Sequence, residues 1–61
     1  MNKQQKLTLL RGMRIKIMKL RILTTDHYNA EGWDTDQAGK DASQLLDEII
    51  DMSRTARNEL T

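Results

Sequence analysis

Sixty-one residues make one small domain at most. The chain has no Cys, Pro, Phe or Val, which excludes disulfide staples, thiolate metal centres and a cysteine nucleophile and removes much of the usual material of a β-sheet. The net charge of +1 hides a split: residues 1–25 hold seven basic side chains and no acid, whereas residues 26–61 hold all nine acids and three basic side chains.

The apolar stock is eight Leu, five Ile, four Met, four Ala, one Trp and one Tyr. That makes a thin core in a chain that buries only about 60 % of its unfolded surface. A large enzyme cavity is not expected, and neither is a small-molecule substrate or cofactor. Self-association is a natural way to add buried area. The charge split fits two helices that attract each other, a basic arm for nucleic acid or an anionic surface, or an acidic face for a basic partner. No apolar run exceeds two residues, so neither a membrane span nor a secretory leader is expected, and a cytoplasmic location follows.

The chain order predicts an all-α antiparallel two-helix hairpin. The first helix is expected over about residues 3–30, with a turn at 31–34 and a second helix over 35–59. Gln, Lys, Leu, Met and Arg dominate the first segment and favour helix. At 100° per residue, Leu9, Leu10, Met13, Ile17, Leu20 and Thr24 form one stripe about 100° wide. Alternation in Arg14-Ile15-Lys16-Ile17 suggests a strand instead, but a lone strand has nothing to pair with. Ile15, Met18 and Ile22 form a second apolar stripe, nearly opposite the first. A helix with two apolar faces lies between two partners. One is the second helix, and the other is a second chain or a target. Pairing of two hairpins into a four-helix homodimer is therefore expected.

Gly32 suits the left-handed position that ends a helix, with Trp33 folding back behind it. Asp34 with Gln37 three residues later reads as a capping box for the second helix. In that helix Ala42, Leu46, Ile49, Ser53, Ala56 and Leu60 form a heptad-like seam, flanked by Ala38, Leu45 and Met52. The small residues permit close approach of the helices. Ile50 is left on the wet side beside Ser43, Asp47 and Arg54.

Metal chemistry finds little support. Asp34, Asp36 and Gly39 match the spacing of a calcium loop, but Ala38 and Leu45 stand where two ligands are required. His27 and Glu31 are too few to bind a metal, and no metal site is expected. The basic residues Arg14, Lys16, Lys19 and Arg21 are candidates for phosphate contacts along a nucleic acid. No aromatic residue is interleaved to stack on bases.

Ser43-Gln44-Leu45-Leu46-Asp47 resembles the Ser-Gln-x-Leu-Asp signature of the stage-zero sporulation protein E-like family. Those are short helical hairpins that remove phosphate from the aspartyl phosphate of a response regulator. The resemblance implies that Ser43, Gln44 and Asp47 face outward, with Gln44 or Asp47 orienting a water for in-line attack. Without it, no catalytic residue is expected. The leading expectation is a small non-metabolic regulatory or interaction protein that binds a macromolecule, most readily a protein. Its partner-binding candidates are Ile15, Met18 and Ile22 on the first helix, and Ser43, Asp47, Ile50, Asp51 and Arg54 on the second. A nucleic-acid-binding dimer and an aspartyl-phosphate phosphatase are the alternatives.

Overall fold

The computed structural model describes residues 1–60, without the side chain of Leu60. The place expected for Leu60 in the second-helix seam thus lies outside the described residues. Two helices, α1 (Lys3–His27) and α2 (Asp36–Leu60), are joined by a miniature hairpin of β1 (Tyr28–Asn29) and β2 (Gly32–Trp33). The molecule is a rod measuring 42 × 16 × 15 Å. Its Cα radius of gyration is 13.8 Å, whereas a compact 61-residue domain has about 10.5 Å.

α1 begins at a capping box. The Asn2 side chain accepts from the Gln5 amide at 2.8 Å, and the Gln5 side chain accepts from the Asn2 amide at 3.0 Å. The helix ends at His27, three residues short of the expected boundary. Tyr28 is extended (φ −113°, ψ 131°) and donates its amide to the Thr24 carbonyl. Just before the end, the hydroxyls of Thr24 and Thr25 donate back to the Leu20 and Arg21 carbonyls, a local alternative to continued helix bonding.

Gly32 does not cap α1. It closes a two-residue turn in which Tyr28 pairs with Trp33 and Asn29 with Gly32. Its φ of +104° is the one positive value among the described residues, and glycine occupies such a conformation at little cost. The Asn29 side chain accepts from the Glu31 amide and fixes the turn. Across the ladder, the Tyr28 and Trp33 rings sit 4.8 Å apart at 59°. The two aromatics thus close this end, as their position near the turn suggests.

The cap of α2 also differs from expectation. Thr35, not Asp34, receives the Ala38 amide on its hydroxyl at 3.0 Å. Gln37 donates to Asp41 instead of reaching back. Asp34 is engaged elsewhere: its backbone amide donates to the His27 carbonyl at 2.8 Å, and its carboxylate meets His27 Nδ1 at 3.0 Å. That clasp ties the end of α1 to the start of the α2 cap.

The helices touch along a narrower and differently placed stripe than the helical wheel predicts. On α2, Ala38, Ala42 and Ala56 are the buried apolar residues among those described. Leu45, Ile49 and Met52 are half-buried beside them. On α1, Leu9, Met13, Lys16, Leu20, Leu23 and His27 are half-buried, and none is fully buried. Small residues bring the axes close. A Cβ on Gly12 would sit 2.8 Å from Met52 Cε, while Gly39 makes room for Trp33 of the turn, 3.6 Å from where its Cβ would stand. The expected inner residues Leu10, Ile17 and Leu46 lie outside this contact and are exposed. The reason is geometric. Two helices share one line of contact, so only about a third of each circumference is covered, and Lys16 and Leu23 fall nearer that line than Ile17 and Thr24 do.

Candidate interaction surfaces

The rod presents four long surfaces: two flanks, each shared by both helices, and the outer edge of each helix. The first flank is polar. Lys16 Nζ lies 2.5 Å from Glu48 Oε2, and Gln44 donates to Glu48 Oε1 at 3.1 Å. Those two partners hold the Glu48 carboxyl below its ordinary range, the hydrogen bond from Lys16 contributing most. Lys19, Leu23, Asp41 and Leu45 complete an open groove of about 400 Å³. Among the described residues, Lys16–Glu48 is the one side-chain ion pair that joins α1 to α2. The opposite charges of the helices are therefore mostly left unused within the hairpin.

The second flank is apolar. Leu10 and Ile17 follow directly on the half-buried Leu9 and Lys16, and so stand about 100° further round α1. Leu46 and Ile50 stand on the corresponding side of α2. The four are 39, 48, 45 and 47 % exposed. Leu10, Ile17 and Met13 line a shallow groove of about 480 Å³ together with Met18, Arg14 and Arg21.

The outer edge of α1 carries Ile15, Met18 and Ile22, which are 53–60 % exposed. Met18, Arg21, Ile22, Thr25 and Asp26 line a groove of about 310 Å³ there. α1 is accordingly only weakly amphipathic, since its apolar residues spread over much of its circumference, whereas α2 is strongly so. The outer edge of α2 carries Ser43, Asp47, Asp51 and Arg54, with Ile50 at its border with the apolar flank, all exposed. At spacings of three and four they form one strip. The two sets of expected partner-binding residues are thus on opposite edges of the rod, and one flat surface cannot meet both.

Ser43, Gln44 and Asp47 are all solvent-facing on α2. Gln44 is turned toward the polar flank by its bond to Glu48. The four basic residues considered for nucleic acid are not brought together. Arg14 and Arg21 border the apolar flank, whereas Lys16 and Lys19 line the polar one.

His27 and Glu31 do not converge. His27 instead faces Asp34. Among the described residues no three His, Cys, Asp or Glu side chains converge on a metal-sized site. No helix among them is long and apolar enough to cross a membrane.

Sequence reasoning missed the exposure of Leu10, Ile17 and Leu46. The signal was present in two further 4-3 series: Leu9, Met13, Lys16, Leu20, Leu23 and His27 on α1, which a charged Lys16 disguises, and Ala38, Ala42, Leu45, Ile49, Met52 and Ala56 on α2. Comparison with known proteins found no family model, no curated protein and no solved structure that matches this chain.

Proposed function

We propose that this chain is a small non-metabolic interaction protein that binds another protein through a helix face. The observation that carries this reading is the outer edge of α1. Among the described residues, Ile15, Met18 and Ile22 are more exposed than any other apolar side chains of the helices, form one continuous patch, and are bordered by Arg21 and Asp26. Apolar residues rimmed by charge mark protein contacts more often than catalytic centres. The grooves are open and lack convergent polar groups, which favours recognition over catalysis.

The test is cross-linking and affinity capture from the native host, with and without nuclease, using the parent and an Ile15→Asp/Ile22→Asp variant. A partner retained after nuclease and lost with the variant supports the reading. Capture that nuclease abolishes, or that the variant leaves unchanged, overturns it.

The shared exposure of Ser43, Gln44 and Asp47 favours a second reading, aspartyl-phosphate phosphatase activity on a response regulator. Gln44 or Asp47 would orient the attacking water. The chain would then speed decay of a phosphorylated regulator, and Asp47→Ala would remove that effect. The nucleic-acid reading has less support, because its four basic residues are divided between two flanks and Lys16 is bound to Glu48.

A further inference from the structure

We propose that the apolar flank of the hairpin is covered by a second copy of this chain, with α1 of each copy lying against α2 of the other and both turns at the same end. The inference rests on a different surface from the outer edge of α1 and stands independently of the reading above.

The apolar stripes of the two helices do not point at each other. In α1 the stripe predicted from sequence is centred about 50° round the helix from the observed contact line, and in α2 the predicted seam with its flanking Ala38, Leu45 and Met52 is centred about 20° round. Both displacements are toward the same flank, the one opposite the Lys16–Glu48 pair. A sequence designed for an isolated pair of helices would centre its apolar residues on the contact line. One that points them to the side shared by both helices has its core there, where a second layer completes it.

The hairpin exposes 4941 Å². A folded monomer of this mass typically exposes about 4,100 Å². The excess of roughly 800 Å² is what each partner buries in a stable interface of standard size.

Charge selects the arrangement. α1 carries seven basic residues and one acid, whereas α2 carries six acids and three basic residues. Two layers related by a twofold axis have two choices. An axis across the helices lays α1 on α1 and stacks like charges. An axis along them lays α1 on α2 and makes every neighbouring pair antiparallel and opposite in charge. The register follows from the hairpin itself, in which Lys16 is level with Glu48 and the Cβ position of Gly12 meets Met52. Ile17 is then level with Asp47. Arg14 and Arg21 border the apolar flank about one turn to either side, within reach of Asp47 of the second copy. Arg54, on the outer edge of α2, falls level with Leu10, about one turn from Arg14, and Arg57 falls level with Leu7; both lie about two turns or more from Arg21, so Arg21 is the basic residue that meets Asp47 without a like charge beside it. A dimer in this arrangement occupies Asp47, so it competes with phosphatase action at that residue.

Sedimentation equilibrium tests this at roughly 100 µM chain, above the micromolar range at which interfaces of this size begin to hold. The parent should sediment at twice the 7.1 kDa chain mass. Ile17→Asp/Leu46→Asp should sediment as a monomer, and Ile15→Asp/Ile22→Asp as a dimer. Arg14→Glu/Arg21→Glu should weaken the dimer roughly tenfold or more by placing like charges together, and adding Asp47→Arg should restore it. A monomeric parent overturns the proposal. So does a dimer that is lost with the Ile15/Ile22 pair and kept with the Ile17/Leu46 pair. If the charge swap fails to restore association, α1 does not lie on α2 and the arrangement is wrong. Because the charge variants leave the apolar residues in place, they decide the matter even if the Ile17/Leu46 pair fails to fold.

Discussion

Met52 Cε lies 2.8 Å from the point where a Cβ on Gly12 would stand, the closest approach of a side chain on α2 to any glycine of the chain. Gly12 is therefore a place where α1 gives up helix propensity to admit a neighbour. Alanine there gains about 1 kcal/mol of propensity, and the atom it meets is the free end of a flexible methionine. Gly12→Ala should leave stability unchanged or raise it by up to about 1 kcal/mol. Gly12→Ile needs room that only separation of the axes provides, and should lower it by about 1–3 kcal/mol. Thermal unfolding by circular dichroism at one fixed chain concentration distinguishes the two.

The turn has its own requirement. Gly32 adopts φ +104°, where a side chain is strained even though no atom lies within 4 Å of its added Cβ. Gly32→Ala should cost about 1–2 kcal/mol by backbone strain alone. Thr35→Ala should cost about 1 kcal/mol through loss of the α2 cap, whereas an Asp34 cap would have predicted no effect. Urea unfolding of the two variants checks both values.

Glu48 sets a pH dependence. Its carboxyl is held below the ordinary value by Lys16 and Gln44, so the folded chain binds that proton less readily than the unfolded chain. The resulting stabilisation is present above the unfolded value of 4.5 and is lost as pH falls through the lower folded value. Unfolding midpoints should therefore fall on acidification below 4.5, and Glu48→Gln should flatten that part of the profile. Because both partners are about one third exposed to solvent, added salt should shrink the difference.

A good part of this fold was legible in the residues. Helix formers without Pro from Asn2 to about Tyr28 announced α1, with its end set three residues too late; of the small series Ala38, Ala42, Ser53 and Ala56 the three alanines are buried at the contact, and Trp33 with Tyr28 closes the turn. The caps were harder, because Asp34 and Thr35 are both good caps and only the His27 clasp decides between them. The rotation of the contact line was hidden on a wheel, because Lys16 interrupts the series that marks it. A wheel finds where apolar residues point, and here that direction differs from where the first neighbour lies. Lys16 and Leu23 meet α2, while Ile17 and Leu46 face the open flank. Of the candidate surfaces, the outer strip Ile15, Met18 and Ile22 was visible directly from spacing. The joint flank was not, because it is made by two helices and needs the register between them.

The bundle arrangement makes a distance prediction that needs only one label. The parent has no cysteine, so Glu31→Cys places a single spin label on the turn of each copy. Dipolar spectroscopy on that variant should give one separation on the order of 20 Å, set by neighbouring helices about 10 Å apart. A separation near the 42 Å length of the rod, which places the turns at opposite ends, would contradict the arrangement, and so would the absence of any dipolar coupling.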